Sequence, residues 1–428
     1  MVSSSLSLSR PHVGECRRLQ LSSPLLHIGA AVASLNPFEY ITDGNKVYFP
    51  DSEALAKALH QRGRLQDYIG TIENRREIAP MLRQAFGETW SEATDPEGNP
   101  LFPAATIAAK WTDRQITDLR PAIRNGFGQL YIPGSSIKGA IRTAVAYHLL
   151  KHADRYRLSR NHRVSDIEQQ LHQKLKQGEF KSRWRQSFAD DSLFMNELFA
   201  NFSLHRDDRT AKTRPGPNTD FMRALQVTDC EPLLPRKIAT QTGKRISLNV
   251  PAIAEVLVSS YYPDFQAKYR ASLYVEVVRN VRTAFSLSLD TEMLSWFRHQ
   301  SGMQLPFKTL DELLAICQEF AQDQWDGEHD YWQEVRDNRD RDRALDFTDI
   351  RQFYEKERCP YALRLGWASG MTGTTIGWLF KDTLRAELRD ACGIAAPGFA
   401  APKSRRTVLD PHGTIKFVPG WVKFKSQD

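Results

Sequence analysis

Apolar and polar residues alternate along this chain in stretches that divide it into strands and helices. Residues 16–30, CRRLQLSSPLLHIGA, hold a short apolar run that ends in His-Ile-Gly, which predicts a strand followed by a glycine turn. In LNPFEYITDGNKVYFP (35–50), Phe38, Tyr40 and Ile41 precede Asp43-Gly44, and Val47, Tyr48 and Phe49 follow it, the pattern of a hairpin. Asp51 then caps a helix over DSEALAKALHQRG that Gly63 ends, and a second helical stretch covers about 72–87. The loop 91–105 is rich in proline, glycine and acids. In YIPGSSIKGAIRTAVAYHLL (131–150) a strand end turns at Pro133-Gly134 into a helix with Ser135 or Ser136 as its cap. Ile137, Ile141, Ala144, Val145 and His148 recur there at helical spacing and predict a core-facing stripe.

Further along, residues 151–187 read as basic and helical, and 203–220 as a loop without periodicity. FMRALQVTDCEPL (221–233) returns to strand character. RKIATQTGKRISLNV (236–250) reads as a basic hairpin turning at Thr242-Gly243, and AEVLVSSYY and SLYVEVV are further strands. Residues 287–357 read as mainly helical and include the acid-rich QDQWDGEHDYWQEVRDNRDRDRALD, expected to be a solvated or partner-binding surface. YALRLGWASGMTGTTIGWLF (361–380) is a strand leading into a glycine-rich loop, and the tail from 401 is basic. The pattern gives one mixed α+β domain over 15–428 behind a flexible tail, 1–14, with insertions about 51–125 and 287–357.

Composition narrows the function classes. A hydrophobic fraction of 41% over 428 residues supports a real core. The net charge of +7 raises the prospect of an acidic partner such as nucleic acid without establishing it. Five cysteines at 16, 230, 317, 359 and 392 form no C-x-x-C pair, so neither a zinc site nor a disulfide scaffold is expected. They fit reduced thiols in the cytoplasm. No signal peptide or membrane span is expected, since no apolar run approaches the required length.

The chemistry centres on Gly-Ser-Ser-Ile-Lys-Gly-Ala-Ile-Arg. Lys138 and Arg142 lie four apart at a helix N-terminus, where cations are disfavoured by ~0.3–1 kcal/mol each. Gly139 adds ~1 kcal/mol against alanine in a helix interior. A bound anion explains the arrangement; a capped helix with solvated cations is the plain alternative. A nucleotide P-loop is excluded, because that motif needs Gly-Lys-Ser/Thr and the order here is Lys-Gly. The loop Gly366-Trp367-Ala368-Ser369-Gly370-Met371-Thr372-Gly373 offers a second close backbone approach, or only a turn. His27 beside an apolar run reads first as a packed residue and second as a general base. The carboxylates of 323–349 match no metal-ligand spacing, so no metal or other cofactor is expected.

Four pieces occur in the order of a known family: SPLLHIGA, YIPGSSIKGAIRTA, LQVTDCEP and LRLGWASGMTG. This order resembles the RAMP superfamily of CRISPR effector subunits. LNPFEYI…NKVYFPD soon after HIG is similar to the type III-A (Csm complex) subunits that cap the crRNA 3′ end. The resemblance implies a ferredoxin-like, RRM-type palm with helical insertions and a β-hairpin thumb at about 232–256. It also implies a non-catalytic subunit of an antiviral ribonucleoprotein whose partners are crRNA, target RNA and other type III subunits. Carried onto this sequence, the RNA-binding residues would be Lys138 and Arg142 on phosphates, and Gly134, Ser135, Ser136 and Gly139 through the main chain. Gly366, Ser369, Gly370 and Gly373 would line the same groove, with His27 near it and Lys244 and Arg245 on the thumb. Two other readings stand beside it. In an endoribonuclease, the loop between Gly29 and Phe49 offers only Glu39 and Asp43 as acids. A protein-binding scaffold would use the acidic 323–349 stretch.

Overall fold

Strict alternation makes the first strand, β1 (Glu15–Leu26): Leu19, Leu21 and Ser23 point inward while Gln20, Ser22 and Pro24 lie nearer solvent. The computed structural model of the chain describes residues 14–181, 190–206, 209–211, 215–239, 243, 245–261 and 264–427. The expected hairpin follows as β2 (Ile41–Asp43) and β3 (Lys46–Tyr48), paired Ile41 to Tyr48. Helix α1 (Ser52–Gln61) starts where Asp51 Oδ1 accepts from the amides of Glu53 and Ala54 at 3.1 and 3.0 Å. The next helical stretch is two helices, not one: α2 (Leu65–Glu73) and α3 (Ile78–Phe86). Arg75 between them sits at φ +52°, a left-handed turn no helix can pass through. These helices and the hairpin close a satellite core around Trp90, whose ring lies 5.0 Å from both Tyr48 and Phe102. Strands β4 (Ile107–Lys110) and β5 (Leu119–Arg120) lead back to the main sheet.

Helix α4 (Gly134–Lys151) buries Ile137, Ile141, Ala144, Val145 and His148, as the stripe predicts. The helix after it covers only α5 (Val164–Lys176); residues 182–189 lie outside the described residues. The stretch expected to be a loop at 203–220 contributes strands, β6 (Phe202–Arg206) and β7 (Arg209–Ala211). Strand β8 (Leu225–Val227) falls in the expected LQV segment. The basic hairpin forms from β9 (Arg236–Ala239) and β10 (Arg245–Leu248), a two-stranded sheet of its own. Its expected turn at Thr242 and the residue Lys244 lie outside the described residues.

The two longest strands follow, β11 (Val250–Ser260) and β12 (Lys268–Leu289). After α6 (Thr291–Trp296) and β13 (Phe297–His299), which pairs β6, comes α7 (Leu310–Glu334). Its start is a full capping box between Thr309 and Glu312. The acid-rich stretch is therefore not a wet surface throughout. Its first half is this helix, with Gln324, Trp325, Glu328 and Trp332 each 1% exposed, and its second half is the hairpin β14 (Asn338–Asp340) and β15 (Arg343–Leu345). α8 (Thr348–Tyr354), β16 (Leu363–Arg364), α9 (Gly370–Thr374) and α10 (Asp382–Ala391) precede β17 (Arg405–Leu409), β18 (Ile415–Phe417) and β19 (Trp421–Ser426). The basic tail is thus three strands of the main sheet.

Among the described residues twelve strands join one mixed sheet, whose main path runs β16-β19-β1-β12-β11-β4-β3-β2. At its centre β19, β1, β12 and β11 pair antiparallel with one another in that order, while β4 joins β11 and β5 joins β12 in parallel. α4 lies in sequence between β1 and β11, and α7 between β12 and β19. Both helices pack into one core with Leu19 and Leu21 of β1 and Phe285, Leu287 and Leu289 of β12. β12 changes face on the way: Asn280 at φ +51° interrupts its alternation, so that Val275 and Val277 belong to a second apolar cluster with Trp111, Ala252, Ala254, Val256 and Val408.

Candidate nucleic-acid interface

The α4 start is held by the chain itself. Neither Ser135 nor Ser136 caps it; the Gly134 amide donates to Asp229 Oδ1 at 2.7 Å, from the segment just after β8. A side chain on Gly134 would meet the Thr228 carbonyl at 2.7 Å, so glycine here serves the approach of two backbones. Lys138 Nζ donates to the Leu225 carbonyl at 2.7 Å. Arg142 pairs with Asp220 at 2.6 Å and lies 3.8 Å over the Phe199 ring. Burial pulls the Lys138 ammonium below the ordinary lysine range, with Asp220 opposing the shift. The anion that the Lys-Gly-x-x-Arg spacing calls for is thus supplied within the protein. What this clasp leaves exposed at the helix start is Ser135 and Gly139, with Ser136 half-exposed.

The late glycine loop is mostly turned inward. Gly366 sits at φ +84° and ψ −179°, and a Cβ there would overlap the carbonyl oxygen of His27. Ser369 is 2% exposed and donates to the Gly366 carbonyl at 2.5 Å. Gly373 packs against the Ser369 side chain, whereas Gly370 borders open space. His27 is itself buried: Nδ1 bonds the Glu276 carbonyl at 2.7 Å, and its ring meets Trp367 edge-on at 5.8 Å. Burial lowers its pKa, so it stays neutral. The structure therefore brings His27 against Gly366, and Lys138 beside Arg142. Helix α4 and the late loop meet where Thr143 and Ala146 line a mainly apolar cavity of about 680 Å³ together with Met371 and Thr374. Arg245 is exposed on the separate hairpin, which adjoins β12.

A cluster missed by the sequence reading surrounds Trp367. Arg406 of β17 lies 4.1 Å from its ring centroid and donates to its carbonyl at 3.1 Å, and Arg120 of β5 lies 5.1 Å from the ring. Register puts Arg120 beside Val275 and Arg406 beside Val258, on the sheet face that carries Trp111 and Val277. On the same face Arg279 lies 5.3 Å from Trp111. Among the described residues none of these three arginines has a carboxylate within ion-pair reach. Burial, with Arg120 and Arg364 nearby, pulls Arg406 below the usual arginine range. Half-buried guanidiniums stacked on indoles suit phosphate and base recognition. No local motif marks the cluster, because Arg120, Trp367 and Arg406 come from three distant segments.

The acids of the β1–β3 region are engaged in structural bonds: Asp43 pairs with Arg83, and Glu39 Oε2 accepts from the Asn36 amide at 2.7 Å. All five cysteines are free, with Cys16 and Cys392 exposed. No helix among the described residues is long and apolar enough to cross a membrane.

Comparison with known proteins adds three findings. The profile of the RAMP superfamily matches residues 18–232, just over half of the chain. A CRISPR system Cms protein Csm5 from Enterococcus italicus is 29% identical over 163 residues, 32% of this chain and 46% of that protein, so the match spans less than half of the relative. Among solved structures, a chain of a Csm-crRNA-target RNA ternary complex of a type III-A CRISPR-Cas system aligns with a TM-score of 0.59 at 22% identity, covering 96% of this chain and 100% of that one. Csm5 of T. onnurineus aligns with a TM-score of 0.52 at 20% identity, covering 95% and 100%. At these identities the structural likeness speaks for the fold.

Proposed function

Since the chain belongs to the RAMP superfamily, we propose that it is a non-catalytic crRNA-binding subunit of a type III-A CRISPR effector complex, placed at the crRNA 3′ end. The observation that carries this reading is the Arg120–Trp367–Arg406 cluster: cations with no carboxylate partner among the described residues, stacked on an aromatic, beside the late glycine loop. An RNA phosphate would offset the burial, and with it the repulsion from Arg120 and Arg364, that lowers Arg406. Such interactions hold the backbone without reading its sequence, which suits a subunit that must hold any guide. In this reading Lys138 and Arg142 position rather than grip: they lock the α4 start so that Ser135, Ser136 and Gly139 meet the RNA backbone. The central strand order, with α4 and α7 as its crossovers, supports reading the sheet as a ferredoxin-like palm. The hairpin carrying Arg245 is its thumb. The occupied acids Glu39 and Asp43 favour a binding role over cleavage, and the buried Trp325, Glu328 and Trp332 disfavour the purely protein-binding scaffold.

A salt series tests it. Arg120→Gln with Arg406→Gln should lower the slope of log K against log salt for single-stranded RNA by about 1.4, at ~0.7 for each phosphate left without its arginine. An unchanged slope in the folded double variant overturns the site. Native mass spectrometry of the assembled complex should count one copy of this chain; several copies would make it a repeating backbone subunit instead.

A further inference from the structure

We propose that His148, His152 and Glu319 form a site for a transition-metal dication, zinc foremost, that clamps α4 to α7. His148 and His152 are one turn apart on α4, and Glu319 faces both from α7. The carboxylate sits 2.5 Å from His148 Nδ1 and 2.7 Å from His152 Nε2. One ligand atom from each residue lies within 4.8 Å of the others. Two imidazole nitrogens and one carboxylate oxygen are a donor set for zinc's class of ion; magnesium and calcium take oxygen alone.

The surroundings fit. His148 Nε2 is 2.8 Å from the Tyr156 hydroxyl, the outer hydrogen bond that orients a ligating histidine. The side chains of His152 and Glu319 are 34% and 26% exposed, so an ion can enter from solvent. The Lys151 ammonium now occupies the ion's neighbourhood, 2.9 Å from Glu319 and 2.5 Å from Asp323. It can release Glu319 and keep Asp323, leaving the fourth position to water. Tetrahedral bonds of about 2.0–2.1 Å set ligand atoms roughly 3.3 Å apart, so ligand atoms now within 4.8 Å of one another must readjust by at most about 1.5 Å. The proton balance closes without release to solvent. The hydrogen each imidazole now donates to Glu319 moves to its other nitrogen, where the Tyr156 oxygen accepts it for His148 and water accepts it for His152.

Metal-stripped full-length protein titrated with Co²⁺ should bind one equivalent and develop the visible absorption of a tetrahedral site. Zn²⁺ should displace it and raise the melting temperature. His152→Ala, half-exposed and tolerable to the fold, should abolish both signals. Lys151→Met removes the competing cation and should tighten Zn²⁺ roughly twofold to fivefold, the worth of a partly exposed ion pair. Absence of binding, binding that survives His152→Ala, or an affinity unmoved by Lys151→Met in the folded variant would each overturn the site.

Discussion

Replacing Gly366 with alanine tests whether the late glycine loop is shaped by packing. Its dihedrals, φ +84° and ψ −179°, fall in a region that only glycine occupies freely, at a cost of about 1–3 kcal/mol for any other residue. The new Cβ would also overlap the backbone carbonyl of His27, and a main-chain atom cannot rotate aside as a side chain can. Forcing such a shift costs a further ~1–3 kcal/mol, so the loss is about 2–6 kcal/mol. With an unfolding entropy of ~2.1 cal/mol/K per residue, the whole chain loses roughly 1 °C of melting temperature per kcal/mol. Calorimetry should therefore show a fall of about 2–6 °C by this scaling. Gly139→Ala is the matched control: it lies in a helix with nothing within 4 Å of its added Cβ. It should gain about 1 kcal/mol and melt slightly higher, and under the proposed function it should bind RNA more weakly because the backbone can no longer approach. A Gly366→Ala protein that melts within 1 °C of the parent would refute the packing argument.

Three other perturbations follow from buried charge and capping. Glu328 is 2% exposed at its side chain and lies 2.8 Å from Arg405 and 3.8 Å from Arg364, so Glu328→Gln strands two buried guanidiniums and should cost about 3–5 kcal/mol in urea unfolding. Asp229→Ala removes the acceptor at the α4 start and should cost about 1 kcal/mol, with a null effect arguing that water replaces it fully. Burial depresses the His27 pKa, so between that value and the unfolded value of 6.5 the unfolded chain binds more protons. Stability should fall as pH drops below 6.5, and His27→Gln should remove up to ~1.4 kcal/mol per pH unit of that slope; an identical slope in the variant would contradict a neutral His27.

Local signals in the sequence were legible and distant ones were not. The β1 run, the Asp43-Gly44 hairpin and the Asp51 cap each lie within a few residues, and each appears where expected. The α7 stripe was also written in the chain: Leu313, Ile316, Phe320, Trp325 and Trp332 recur at helical spacing and are all buried. It was overlooked because the acids on the helix's other face dominate any average over the stretch. The strand at 202–206 carries no such stripe and forms because His299 and its neighbours offer it an edge. The Arg120–Trp367–Arg406 cluster could not be read at all, since only the sheet register brings its members together.

The four pieces that resemble the family turn out to be two contacts. IPGSSIKGAIRTA closes on the segment around LQVTDCEP: Gly134 on Asp229, Lys138 on Leu225, and Arg142 on Asp220 just upstream. SPLLHIGA closes on LRLGWASG, with Gly366 seated on His27. Two cations at a helix N-terminus are unfavourable alone, and here two carboxylates from one neighbouring segment offset them. A residue that matches a family motif because it clasps another motif is already accounted for by the fold. Its RNA role therefore needs a second reason, and Lys138, Arg142, Gly366 and His27 have none beyond the match. The groups left open to RNA lie beside the clasps: the Ser135 hydroxyl and the bare backbone at Gly139 on one side of the sheet, and Arg120 and Arg406 on the other. Variants of the clasp residues should thus lower stability and RNA binding together, whereas Arg120→Gln with Arg406→Gln should lower binding at unchanged melting temperature. That separation is the measurable difference between a motif that builds the interface and one that touches the RNA.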